Sequence, residues 1–214
     1  MVTKIFHYKV KSKVRYEGEI GETVCCKLKI KSLATGYEIE SPTFEKSCSP
    51  GSSVTFEFSQ PIEHDLNKEV RVSVNAWLKN KPSVKDSETR TIKPPCYITD
   101  YGIPTLVNIS ENIYAFIKIK NVSDRRAKFR VARELVDPLG VKHKSMDGFE
   151  VEEYLDPGEE KRYGIWGITC RTCYRTHSTY EDACPYTGSW INRIRVYKDG
   201  RLIVTLEEDT WVGG

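Results

Sequence analysis

The sequence predicts an all-β protein made of two tandem β-sandwiches. Apolar residues alternate with charged ones in segment after segment, the period-two signature of half-buried strands, and no segment keeps a helical period. Turn signals built from Gly, Pro, Asn and Asp punctuate these segments at short intervals, as an antiparallel sandwich requires. Stretches of the second half also repeat stretches of the first, which points to two copies of one module. A chain of 214 residues suits two domains of roughly 100 residues each. Domains of that size bury a core without needing disulfides to fold.

The first strand is expected from Phe6 to Tyr16, with a bend near Ser12. Phe6, Tyr8, Val10, Val14 and Tyr16 share one face, and Lys9, Lys11, Lys13 and Arg15 the other. Gly18 and Gly21 mark the turn. Val24, Cys26, Leu28 and Ile30 then face in, while Cys25, Lys27, Lys29 and Lys31 face out. After Ser49-Pro50-Gly51, Val54, Phe56 and Phe58 alternate again. Val70, Val72, Val74, Ala76 and Leu78 form the clearest inward row of the first half. Asn80-Lys81-Pro82 turns the chain into a strand near 84 to 92. That strand ends at Lys93-Pro94-Pro95, a stiff pair that cannot continue a ladder. The domain boundary is placed there.

In the second half, residues 110–121 (SENIYAFIKIKN) line up with 21–32 (GETVCCKLKIKS). Pro157-Gly158 answers Pro50-Gly51, and the strand 190 to 197 answers 69 to 77. Near the C-terminus Trp190, Asn192, Ile194 and Val196 share a face. Asp199-Gly200 follows, then Leu202, Val204 and Leu206. Asp-Gly between alternating segments is a strong hairpin signal, because a type I′ turn needs positive φ at both central residues.

Composition narrows the function classes. The formal net charge is +3, and the basic residues are spread along the chain, so nothing favours a nucleic-acid partner. No apolar run approaches the roughly 18 residues of a membrane span, so membrane insertion is not expected. The alternating N-terminus lacks the unbroken apolar core of a signal peptide. Gln60 is the single glutamine, Met is scarce, and 29% of residues are charged. This is the tilt of a thermophile protein, the setting in which intracellular chains rich in cysteine also occur. The recognisable catalytic constellations are missing: there is no G-x-S-x-G, no H-E-x-x-H and no Gly-rich phosphate loop. His7 lies on the lysine-rich face of its strand. Acidic pairs such as Glu152-Glu153 and Glu159-Glu160 fall in turn-like stretches. The expectation is a protein that is not an enzyme.

The G-E-x-V opening strand, the Pro-Gly-Glu turn before an alternating strand, and the final hairpin VYKDGRLIVTL together resemble the bacterial and archaeal immunoglobulin-like modules of the CARDB type, found in surface and viral proteins. The resemblance implies two immunoglobulin-like β-sandwich domains, at 1–94 and 95–214. It also implies a spacer, adhesion or assembly role. It brings no catalytic residues. A cysteine-rich insertion at 170–190 departs from that pattern.

The insertion concentrates the candidate site. Cys170, Cys173, His177 and Cys184 offer three thiols and an imidazole, a set that zinc could gather into a tetrahedron. The competing and favoured reading is disulfide stapling among Cys96, Cys170, Cys173 and Cys184, with no cofactor. Cys25 is a candidate to bridge Cys48, and Cys26 reads as a small core residue. The 7 cysteines are odd in number, so at least one lacks an intrachain disulfide. Arg171, Tyr174, Arg175, Tyr180, Tyr186 and Trp190 make the expected partner-binding set, since tyrosine gives large amphipathic contact area at low entropy cost. The alternative is that these rings seal the loop against a sheet edge. Trp77, on the outward parity of its strand, is a further candidate contact. Asn108-Ile-Ser110 and Asn121-Val-Ser123 are glycosylation sequons.

The function expected from the sequence is therefore a non-enzymatic structural or interaction protein of a larger assembly. Its partners would be other protein subunits, including copies of itself. A capsid-surface or appendage subunit of a virus infecting a thermophile fits the module type, the cysteines, the composition and the missing export signal together. It would act in the virion or at the cell exterior. The alternatives are a zinc-ordered binding module in a thermophile cytoplasm and a carbohydrate-binding accessory protein using Tyr174, Tyr180, Tyr186 and Trp190.

Overall fold

The computed structural model describes residues 3–63, 67–108, 112–140, 142–144, 150–168 and 187–213. The described residues form strands and turns with no helix. They separate into two compact units, Phe6–Pro94, and Pro95–Gly214 together with Met1–Ile5.

The first unit contains β1 (Thr3–Arg15) from Phe6 onward, β2 (Glu22–Ser32), β3 (Glu38–Glu40), β4 (Phe44–Cys48), β5 (Ser53–Glu63), β6 (Val70–Leu78) and β7 (Lys81–Ile92). One sheet runs β3-β2-β6-β7. β3 pairs Lys29–Lys31 of β2 and β4 pairs Glu22–Cys26, so the two make one interrupted edge. β1 and β5 lie side by side. The inward rows expected from alternation supply the core: Phe6 and Tyr8, Val24, Cys26, Leu28 and Ile30, Phe56 and Phe58, Val70, Val72 and Ala76 are all buried. Phe44 closes edge-on against Phe58, with centroids 5.2 Å apart.

In the second unit, β8 (Tyr97–Gly102), β10 (Asn112–Lys120) and β14 (Glu160–Ile168) form a sheet in the order β14-β10-β8. The other sheet orders β12 (Lys142–Lys144), β11 (Ala127–Val136), β15 (Gly188–Lys198) and β16 (Arg201–Val212) and continues from β16 to β1, whose Thr3–Ile5 belongs to this unit. There β13 (Glu150–Leu155) pairs β11, and β9 (Leu106–Val107) pairs β16 in parallel. Ala115, Ile117 and Ile119 of β10 are fully enclosed, as are Phe129, Val131, Ile194, Val196, Val204 and Leu206 of the other sheet. The arrangement in each unit is compatible with a β-sandwich.

The two units share one strand plan. The run β2, β6, β7 corresponds by pairing to β11, β15, β16, the split edge β3–β4 to β12–β13, and β1 and β5 to β10 and β14. The Pro50-Gly51 and Pro157-Gly158 turns sit at the same place, before β5 and β14, with φ of +68° and +77° at the glycines. The expected match of 21–32 with 110–121 does not hold. The first stretch is β2, the counterpart of β11, whereas the second is β10, the counterpart of β1. Both are alternating strands after an acidic turn, so the pattern coincides where the position does not. Among the described residues, β8 and β9 have no counterpart in the first unit.

The Asp199-Gly200 hairpin takes the predicted form, with φ of +50° and +78°. Asp199 Oδ1 accepts from the Lys128 amide at 3.0 Å, tying the turn to β11. Gly200→Ala is expected to cost about 1 kcal/mol, because a Cβ penalises the left-handed region. A shift in the urea midpoint at constant slope measures it.

Candidate functional site: an open groove in the first unit

The inner row of β6 is not sealed along its length. Val70 and Val72 are buried, but Val74 and Leu78 are only half-buried. At that end β7 pairs with a register shift, Trp77 lying opposite Lys85 and Leu78 opposite Lys81. The shift turns Val84 outward, 54% exposed. Facing this end are the last residues of β1, Val14 and Arg15, then Tyr16, and the turn that carries Ile20, 65% exposed. Between them lies a cavity of about 670 Å³, whose apolar lining includes Val14, Tyr16, Ile20, Trp77, Leu78 and Val84. That volume falls in the roughly 300–1,000 Å³ range of ligand-sized pockets.

Charges around the groove are balanced. Arg15, Lys81 and Lys85 stand against Glu17, Glu19 and Asp86, and Arg15 pairs Glu17 at 3.4 Å. A Cβ on Gly18 would come within 2.0 Å of the Tyr16 hydroxyl, so the Tyr16 ring lies across that glycine. Desolvation and the nearby Glu22 carboxylate raise the Tyr16 phenol above its ordinary value, keeping it a hydrogen-bond donor. The lining contains aromatic, aliphatic and balanced charged groups but no Ser, Cys or His. It offers contact surface and a phenolic donor.

Trp77, singled out by its outward parity, borders the groove. Ile20 and Val84 were not legible as site residues, because each is a single apolar residue inside a polar stretch. β7 continues the site along the sheet. It is the terminal strand of its sheet, 12 residues long, with every side chain from Lys81 to Thr91 exposed. Asp86, Glu88 and Arg90 lie opposite the inward residues Ala76, Val74 and Val72, and charges so placed guard an edge against indiscriminate pairing.

The cysteine expectations change. Cys25 and Cys48 are both free. Cys48 lies opposite Glu22 and Cys25 opposite Glu45, three positions along the ladder, which is roughly 10 Å at strand rise. An odd offset also sends the two side chains to opposite faces, so no bridge can close. Cys25 was expected outward, yet it is 3% exposed. On its face it is flanked by Trp77 across one ladder and Glu45 across the other, larger groups that cover a small thiol. Glu45 is also bound by Lys79 Nζ at 2.6 Å. Cys26 is a core residue as expected, at 0%. Cys96 is a free thiol, fully enclosed just before β8, not half of a disulfide.

Burial pushes Cys26 up to about 11 and Cys96 up to about 12. A folded-state value above the unfolded one gives stability that is complete below the unfolded value and lost as pH rises towards the folded one. The window here runs from 9 to about 12. Lys198, lowered mainly by its own burial, works in the opposite sense and trims the loss. A net fall of about 2 kcal/mol is expected by pH 10 relative to pH 8, measured by urea unfolding. The same burial predicts that neither thiol is alkylated in the native protein at pH 8.

Trp190 is 3% exposed within β15, so it serves the core and not a partner surface. It shares its strand face with the buried Ile194 and Val196, and that face decides its role. Arg171, Tyr174, Arg175, Tyr180 and Tyr186, together with Cys170, Cys173, His177 and Cys184, lie outside the described residues. So, therefore, do the proposed staple and the zinc set. Among the described residues, no group of three His, Cys, Asp or Glu is placed to hold a metal. The Asn121 sequon has a structural use. Asn121 is buried, and its Nδ2 donates to the carbonyls of Arg125 and Leu155, each at 3.0 Å. Its Oδ1 accepts from the Ser123 amide at 3.1 Å. That leaves the amide nitrogen no room for a sugar in the folded unit. Asn108 is exposed.

No protein-family model matches the chain, and no curated protein sequence matches it. Solved structures give shallow likenesses. A β-glucosidase from Listeria innocua is 20% identical over 56% of this chain and 16% of its own, with a TM-score of 0.39. The alkylpurine DNA glycosylase AlkC of Pseudomonas fluorescens, bound to DNA containing an abasic site analog, is 14% identical over 56% of this chain and 31% of its own, with a TM-score of 0.39. A Salmonella alpha-2-macroglobulin reacted with methylamine is 11% identical over 96% of this chain and 15% of its own, with a TM-score of 0.41. The chain thus spans less than a third of the length of each. Likenesses of this depth say nothing about activity.

Proposed function

We propose that the protein is a non-enzymatic interaction module of a larger assembly. In this reading its two units are immunoglobulin-like sandwiches, and the first presents the groove and the β7 edge to another protein subunit. The observation that carries it is the join of two exposed features at one place. A 12-residue edge strand with every side chain from Lys81 to Thr91 in water meets an apolar cavity of about 670 Å³. Exposed apolar surface with a charged rim is the pattern of a protein-contact site. The resemblance to surface and viral modules and the thermophile-like composition favour, in this reading, an assembly at a virion surface or appendage.

The test is co-purification of the chain, at fixed stoichiometry, with a particle from its source through a salt wash and a density gradient. Wild-type chain is expected to stay with the particle and Val84→Asp to come off it. Chain recovered only as free monomer would end this reading.

A further inference from the structure

We propose that the groove of the first unit holds an uncharged, proline-rich segment of a partner subunit in the polyproline II conformation. The inference rests on the interaction reading above and names the partner's chemistry.

The polar groups of the groove select this occupant. Apart from the charged residues, the polar side chains of the lining are those of Tyr16 and Trp77. A phenol can donate, and an indole N–H can only donate. Among the described residues, neither the Tyr16 hydroxyl nor the Trp77 Nε1–H meets an acceptor. Both residues are half-buried, so each group is partly screened from water and still unspent. Tyr16 is also held in place. Its amide donates to the Ser52 carbonyl at 3.0 Å, and its ring lies across Gly18, where no Cβ stands.

A ligand that meets two donors and apolar walls must bring acceptors and few donors of its own. An extended strand brings an N–H with every C=O. The side-chain acceptors it would find are rim carboxylates, and two of the three are engaged: Glu17 pairs Arg15 at 3.4 Å, and Asp86 Oδ1 accepts from the Ser87 amide at 2.8 Å. A helix spends its carbonyls on its own backbone. A polyproline II segment leaves every carbonyl free and has no N–H wherever proline stands. Its pyrrolidine rings pack on aromatic and aliphatic walls, which is how aromatic-lined grooves take such segments. Val14, Ile20, Leu78 and Val84 supply the aliphatic wall here.

Charge and the neighbouring edge point the same way. The rim charges of Arg15, Lys81 and Lys85 against Glu17, Glu19 and Asp86 cancel. Charge complementarity therefore favours an uncharged segment over an acidic or basic one. β7 borders the groove, but Asp86, Glu88 and Arg90 stand at every second position along it. Charges so spaced discourage a further strand from pairing. A polyproline II segment needs no ladder, so it binds the apolar cavity without depending on the guarded edge. Its backbone is already stiff, so little entropy is lost when it docks.

The test titrates the full chain with end-blocked decaproline and follows the indole N–H signals by NMR. The Trp77 signal is assigned by its loss in Trp77→Phe. It is expected to shift and saturate as the indole gains an acceptor. Tyr16→Phe keeps the ring and removes the hydroxyl donor. It should weaken binding about fivefold by calorimetry and leave the urea midpoint unchanged, because that hydroxyl has no partner to lose. An end-blocked peptide of the same length, alternating Val and Thr, should not bind. No movement of the Trp77 signal at millimolar decaproline, equal binding by the Val-Thr peptide, or full affinity in Tyr16→Phe overturns the inference. Movement with protein concentration alone puts a second copy in the groove and also overturns it. If decaproline fails while Val84→Asp still frees the chain from its particle, the proline inference falls and the interaction reading stands.

Discussion

Phe129→Ala is expected to remove about 3–5 kcal/mol of stability, a large share of the roughly 5–15 kcal/mol that holds a domain. Phe129 is 0% exposed. It sits on β11, which is paired on both sides, with Glu153 across one ladder and Lys198 across the other. Lys198 Nζ stands 5.7 Å from the ring centroid, so truncation removes a cation–π contact as well as the core volume. A backbone held by two ladders cannot collapse into the space, so the cavity term stays large. Phe129→Leu keeps most of the volume and should cost about 1–1.5 kcal/mol. Urea unfolding followed by tryptophan fluorescence and by circular dichroism separates the two variants. A loss below about 1 kcal/mol for the alanine variant would mean that the two sheets of this unit are not packed as tightly as the burial of Phe129 indicates.

The same strand shows what the sequence does and does not disclose. Where one face of a strand is covered, alternation names the core correctly: Val24, Cys26, Leu28 and Ile30 on β2, and Phe56 and Phe58 on β5. Turn chemistry is equally legible, since Asp199-Gly200 and the two Pro-Gly turns require backbone conformations that few residues allow. β11 escaped notice because residues 131–136 are buried on both faces, charged Arg133 and Glu134 included. Alternation carries no information there. β7 carries the opposite problem, with both faces wet and no apolar row to read. The groove was half legible. Trp77 stood out by parity, whereas Ile20 and Val84 are single apolar residues within polar stretches. The match of β2 with β10 failed because periodicity ranks strands by exposure, not by neighbour.

Glu134→Ala should be the most costly polar substitution, at about 3–5 kcal/mol. Glu134 is 7% exposed and holds two guanidinium groups. Both of its oxygens accept from Arg195, each at 3.0 Å, and Oε1 also accepts from Arg193 Nη1 at 2.5 Å. Arg193 reaches on to Glu207 at 2.7 Å through Nε. The chain of charges thus crosses β11, β15 and β16 in adjacent register, Glu134 facing Arg193 and Arg193 facing Glu207. A bidentate pair taken out of water is strong because neither partner can be rehydrated cheaply. Loss of the carboxylate leaves Arg195 without that fork and Arg193 with Glu207 alone among these acids. Arg195→Ala alone should cost less, since Glu134 then keeps Arg193. A double-mutant cycle over Glu134 and Arg195 is expected to show coupling well above the ~1 kcal/mol ceiling of exposed pairs, and little weakening between low and high salt. The exposed Lys9–Glu57 pair, at 2.9 Å on the first unit, supplies the contrast within one molecule. Its coupling should be small and should fade with salt. If the two cycles gave equal energies and equal salt dependence, burial would not be what makes the Glu134 cluster strong.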